Sequence, residues 1–99
     1  MPLAVKWSSF NKENVSKEKD NYGIYELGNS EDILYIGQGI AKLRLMSHFP
    51  DGTDPIVGVS LYRVEYIGSK ERAEQRERVE LANYERRHGR LPKFNHRRG

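Results

Sequence analysis

Ninety-nine residues with a net charge of +3, 31% of them charged and only 36% hydrophobic, fit one small domain over 1–99 and leave no room for a second core. No apolar run approaches the ~18 residues of a membrane span, and no basic start leads into an apolar stretch. A soluble, intracellular, cytoplasmic protein with no membrane partner is expected. The absence of cysteine excludes disulfides and thiolate metal sites. His48, His88 and His96 lack the spacing of zinc ligands.

Residues 1–20 read as a polar leader in which Trp7, Phe10 and Val15 are the apolar anchors, with a short helix starting near Ser9. Next come two runs rich in β-branched and aromatic residues, 22–27 and 32–37, around Gly28-Asn29-Ser30-Glu31-Asp32. Turn chemistry between two such runs predicts a β-hairpin. It would set Tyr25 and Tyr35 in neighbouring strands, where two phenols could serve one site. The segment from Ile40 to Phe49 reads as a helix stopped by Pro50 and the Asp51-Gly52 turn, and 50–56 as a loop. From Val57 to Ile67, Tyr62, Val64 and Tyr66 alternate with Arg63 and Glu65, which predicts a half-buried third strand. Ser69 then caps a long helix closed near His88 by Gly89 and Pro92. The order predicts an α+β fold: a small three-stranded, mainly antiparallel β-sheet flanked by helices.

Charge is unevenly spread. From Tyr84 to Gly99 there are six Lys or Arg and one Glu, whereas the other 83 residues hold eleven basic and thirteen acidic side chains. A basic end on a nearly neutral body suits a polyanion such as nucleic acid.

Two helices place chemistry against the body. With Ala73 at zero and about 100° per residue, Tyr84 falls near 20°, Glu77 near 40° and Leu81 near 80°. Glu77 therefore sits inside the apolar arc. An ionised carboxylate there costs several kcal/mol unless a cation or several donors meet it. Glu80, at about −20°, lies at the rim of the arc and competes for the same role. Arg44 and His48, four apart, share one face of the preceding helix beside Leu45 and Phe49. A guanidinium in that place could bind a phosphate through two parallel hydrogen bonds.

Gly23-Ile24-Tyr25 and Tyr35-Ile36-Gly37, then Arg44 with His48-Phe49, Glu77 with Leu81, and Pro92-Lys93-Phe94-Asn95 follow one another in order. Over Gly23 to Asn95 this resembles the GIY-YIG nuclease superfamily, as a stand-alone minimal domain. Two intervals depart from the family pattern: Arg44 comes seven residues after Gly37 where about eight is usual, and Glu77 precedes Asn95 by eighteen. A second Tyr66-Ile67-Gly68 ends the third strand and lacks a hairpin partner.

The resemblance implies a metal-dependent endonuclease that hydrolyses DNA phosphodiesters, in DNA repair, recombination or processing. It implies one divalent ion, Mg²⁺ or Mn²⁺, with Glu77 as its sole protein ligand. Arg44 would steady the phosphoryl oxygens, Tyr25 or Tyr35 would position or deprotonate the water, His48 would relay the proton, and Asn95 would orient backbone or phosphate. Lys42, Arg86, Arg87, Arg90, Lys93, Arg97 and Arg98 would hold the DNA backbone without reading sequence. No recognition module such as a zinc finger is visible, which implies a structure-directed nuclease or one that takes specificity from a second protein. The alternatives are a non-catalytic nucleic-acid-binding module on the same scaffold, and a protein-interaction domain whose basic end binds an acidic partner.

Overall fold

Strand β2 (Tyr22–Gly28) organises the molecule, because it is paired on both sides and nearly every residue in it is buried. In the computed structural model, which describes residues 6–95, it pairs antiparallel with β3 (Ile33–Ile40) and with β4 (Leu61–Tyr66). A two-residue strand, β1 (Ser8–Ser9), pairs with β4, so the sheet has four strands in the order β1-β4-β2-β3 instead of the three expected. A two-residue bridge leaves no alternating pattern to read in the sequence. Arg97 and Arg98, expected to hold phosphates, lie outside the described residues.

Alternation along β2 gives the sheet two unlike faces. Tyr25 and Leu27 join Val15, Tyr35, Leu45, Phe49, Ile56 and Tyr62 in the larger core, under the short helix α1 (Lys12–Ser16) and helix α2 (Ala41–Ser47). Helix α1 begins after the N-cap Asn11, whose side chain accepts from Asn14 N–H, and Phe10 before it stacks on Phe49 at 4.2 Å. Ile24 and Ile36 point the other way and meet Tyr84 and Leu81 of helix α3 (Lys70–His88). That helix starts at the Ser69 cap and ends on Gly89, whose φ of 75° completes a left-handed cap.

The α3 face is finished by charge in place of hydrocarbon. Glu26 of β2, 1% exposed, accepts a 2.6 Å hydrogen bond from Arg63 of β4, whose guanidinium lies 4.2 Å from the Trp7 ring centroid. Arg76 of α3 bridges Glu65 and the buried Glu80. The second Tyr-Ile-Gly has a structural duty: the Tyr66 and Tyr62 hydroxyls both donate to Glu18, and the Lys19 amide donates to the Tyr66 oxygen. Among the described residues, no helix is long and apolar enough to cross a membrane.

Candidate active site at the edge strand

Gly37 and Gly39 shape the site because neither has a side chain. On β3, the sheet's edge strand, a Cβ at Gly37 would lie 2.5 Å from the Tyr25 hydroxyl, 2.6 Å from its Cζ and 2.8 Å from the Tyr35 ring. The Tyr25 phenol therefore lies across Gly37, with Tyr35 beside it at a ring-centroid distance of 6.1 Å. Gly39 has φ of 140°, which favours glycine. A Cβ there would meet the Arg44 stem at 2.8 Å. Two consecutive same-face glycines thus let a phenol and a guanidinium stem settle on one strand.

His48 caps α2 and completes the cluster. It is fully buried, and its Nε2 lies 2.8 Å from Tyr25 Oη while its Nδ1 lies 2.8 Å from the Asp54 carbonyl oxygen. A carbonyl can only accept, so Nδ1 carries hydrogen, and in the neutral ring Nε2 accepts from the Tyr25 hydroxyl. The Tyr35 ring meets the imidazole edge-on at 5.2 Å. The half-exposed Arg44 guanidinium lies over this group, 3.6 Å from the Asp54 carboxylate.

Burial pushes the Tyr25 phenol well above the usual tyrosine range. Tyr35 and Glu77 push the same way, and Arg44 opposes them. Tyr25 is thus a buried neutral phenol at pH 7, able to pass a proton to His48 but not to act as a standing phenolate. Glu77 is the weakest of these influences, and its helix α3 packs on the opposite face of the sheet.

Glu77 and Glu80 reverse the depth order expected from the helical wheel. Glu80 is buried at 4% exposure and held by Arg76 at 2.9 Å, whereas Glu77 is half-buried. The reason is that α3 sets Glu80 and Tyr84 beside Glu26 of β2, with Arg76 of the same helix holding Glu80, so the buried stripe (Ala73, Glu80, Tyr84) does not centre on the apolar arc. Glu77 makes no hydrogen bond or ion pair with the described residues. Burial raises its pKa, the like charge of Glu74 adds to that, and Arg78 opposes it. This difference favours Glu77 over Glu80 as the group available to a ligand.

Asn95 spends its side chain on the backbone of β3. Its Oδ1 accepts from Ile36 N–H at 3.0 Å and its Nδ2 donates to Ile36 C=O at 2.9 Å, while Phe94 N–H donates to Leu34 C=O at 3.0 Å. The side chain closes the outer edge of β3 one residue before Gly37, a clamp on backbone and not a reacting group. Asn95→Ala is expected to lose about 1–3 kcal/mol of stability through two stranded backbone groups. Hydrogen exchange should report faster exchange at Ile36.

A family model described as Domain of unknown function (DUF7508) matches residues 1–88. The chain belongs to that family. The DUF7508 match takes in Tyr25, Tyr35, Arg44, His48 and Glu77 and stops short of Asn95. Neither a curated protein nor a solved structure matches the chain.

The cations of this DUF7508 domain divide into spent and available. Arg90 donates to Asp32 at 3.0 Å and to the Tyr84 oxygen at 3.2 Å, so it ties the end of α3 to the hairpin turn. Arg86 and Arg87 on the last turn of α3 are exposed, as is Lys93, and Lys42 on α2 is half-buried. Arg90 meets the hairpin turn at one end of β3 and Arg44 packs on Gly39 near the other, so the two lie roughly 20 Å apart at about 3.3 Å per residue.

A divalent ion fits at Glu77 on one observation, a half-buried carboxylate that makes no hydrogen bond or ion pair among the described residues. No group of three or more His, Asp or Glu gathers among the described residues. Only an ion that keeps most of its waters, as Mg²⁺ does, suits a single carboxylate.

Proposed function

We propose that this domain hydrolyses phosphodiester bonds in DNA with the help of one Mg²⁺ or Mn²⁺ ion at Glu77. The carrying observation is the hydrogen-bonded pair Tyr25 Oη–His48 Nε2 beneath the Arg44 guanidinium. A bound divalent ion would supply positive charge to the leaving oxygen. Arg44 would bind two phosphoryl oxygens and steady the charge that grows on them.

The water oxygen forms the new P–O bond while one of its protons passes to Tyr25 Oη and the phenol proton passes to His48 Nε2. The P–O ester bond breaks, and the leaving oxygen takes a proton from solvent. A relay of this kind needs no phenolate, which agrees with the upward push on Tyr25. The protonated imidazole keeps its Nδ1–H on the Asp54 carbonyl, with the Asp54 carboxylate 3.8 Å away. Arg86, Arg87 and Lys93, exposed near Arg90 in the chain, would hold the DNA backbone away from Arg44. Such contacts set register and leave the choice of DNA structure to branch geometry or to a second protein.

The test is nicking of supercoiled plasmid and of branched DNA with Mg²⁺ or Mn²⁺. The wild-type chain should nick, and Glu77→Ala and Arg44→Ala should each lower the rate by about a hundredfold or more. Tyr25→Phe should lower it by a similar factor, roughly a hundredfold. Salt-sensitive DNA binding with no cleavage under either metal would sink the hydrolytic reading and leave a nucleic-acid-binding module.

A further inference from the structure

The loop over 50–56 is not a passive connection. Helix α2 ends with carbonyls that have no partner within the helix, and the loop folds back to meet them. Asp54 N–H donates to Ser47 C=O at 2.9 Å, and Ile56 N–H donates to His48 C=O at 3.1 Å. Gly52 lets the chain pass directly against the Ser47 carbonyl, where a Cβ would collide. The outcome is that Asp54 sits between the two α2 residues that face the phenols. Its carbonyl holds His48 Nδ1, and its buried Oδ2 lies 3.6 Å from Arg44 Nη2 and 3.8 Å from His48 Nδ1.

We propose that Asp54 is a positioning residue that fixes the His48 tautomer through its carbonyl and holds Arg44 through its carboxylate until a substrate phosphate takes the guanidinium over. The inference rests on the phosphodiester reading and extends it to how the site is held ready. At 3.6 Å the Arg44 contact is longer than a direct hydrogen bond, so it orients the guanidinium without saturating it. A phosphate offering two short, charge-assisted bonds outcompetes that longer contact. The displaced carboxylate then remains beside His48 Nδ1, where it opposes the positive charge left on the ring by proton uptake at Nε2. One anion thus keeps Arg44 in place before substrate arrives and supports His48 afterwards.

Asp54→Asn separates this from a role in loop folding, because the amide keeps the backbone carbonyl and the side-chain shape while removing the charge. Metal-free binding of a short duplex should tighten by roughly three- to tenfold, since a competing anion is gone. With metal, kcat should fall by about tenfold or more as His48 loses support. Glu13→Gln removes the same charge from an exposed position on α1 and should change neither quantity. Nitrogen-15 NMR of the wild-type imidazole should find hydrogen on Nδ1 of His48, a readout that needs neither a variant nor activity.

Hydrogen on Nε2 alone would overturn the proposal whatever the enzyme assays give. So would Asp54→Asn binding no tighter than Glu13→Gln. A wild-type chain that binds DNA but never cuts it defeats the hydrolytic reading alone, and the binding comparison still decides whether Asp54 restrains Arg44.

Discussion

Arg63→Met is expected to cost about 3–5 kcal/mol of folding stability at pH 7, because it leaves the buried Glu26 carboxylate without its cation. Glu26 accepts from Arg63 at 2.6 Å, and the two side chains are 1% and 11% exposed. Burial already raises the Glu26 pKa above the ordinary carboxylate value. Arg63 is the main influence opposing that rise, and the charge of Glu80 adds to it. A carboxyl whose folded pKa lies above its unfolded value favours the folded state most when protonated. Its contribution is fully present below the unfolded pKa and is lost as pH rises through the folded one. Removing Arg63 raises the folded pKa further and widens that window. The deficit of Arg63→Met relative to wild type should therefore shrink on going from pH 7 to about pH 4.5. A smaller remainder should persist at every pH from the lost stacking of the guanidinium on Trp7. Urea denaturation of both proteins at several pH values checks this, and a deficit that does not vary with pH would contradict it.

Gly37→Ala is expected to damage stability and the site together. The added methyl meets two atoms of Tyr25 and one of Tyr35 below 3.0 Å. The strand cannot retreat freely, because Asn95 clamps Ile36 and β2 pairs on the other side. The phenols must move, at a cost of about 1–3 kcal/mol. A displacement near 1 Å at the relay should lower nicking by about a hundredfold. The cost has a specific signature: Tyr25→Phe removes the nearest of the three contacts, so the stability penalty of Gly37→Ala should be smaller in that background. A double-mutant cycle reads this coupling directly. Strict additivity would mean that Gly37 serves the backbone and not the phenol.

The contrast between these two residues marks what the sequence discloses. Gly37 stands in a motif, so its presence was legible, but its purpose was not: its φ lies outside the positive range, and only the path of Tyr25 explains why a side chain is excluded. Glu26 was invisible as a determinant, since a lone acid among Ile24, Tyr25 and Leu27 reads as an outward-facing position in an alternating strand. It is buried because helices cover both faces of the sheet. A charged residue between buried neighbours on a doubly covered strand is the signal that could have found it. Asp54 had no signal at all, sitting in a Pro- and Gly-containing loop of unremarkable composition.

Local rules reached the elements. Turn residues at 28–32, the breakers at Pro50 and Gly89, and the Ser69 cap predicted the hairpin and both main helices to within a few residues, because each depends on neighbours a few positions away. Which face of α3 lies deepest could not be reached this way. The wheel gives angles about the helix axis, but the direction of the sheet is fixed by Glu26, Arg63 and Tyr84 contacts whose partners lie far along the chain. The composition and order of residues thus determined an α+β hairpin-and-helix domain and named Tyr25, Tyr35, Arg44, His48 and Glu77 as candidates. Only the tertiary structure decided that Tyr25 donates to His48, that Asp54 stands behind both His48 and Arg44, that Arg90 is spent on the hairpin turn and that Asn95 holds backbone. Most of those outcomes depend on pairing between residues far apart in the chain, and the Asp54 contact depends on how the 50–56 loop folds back, which no local pattern encodes.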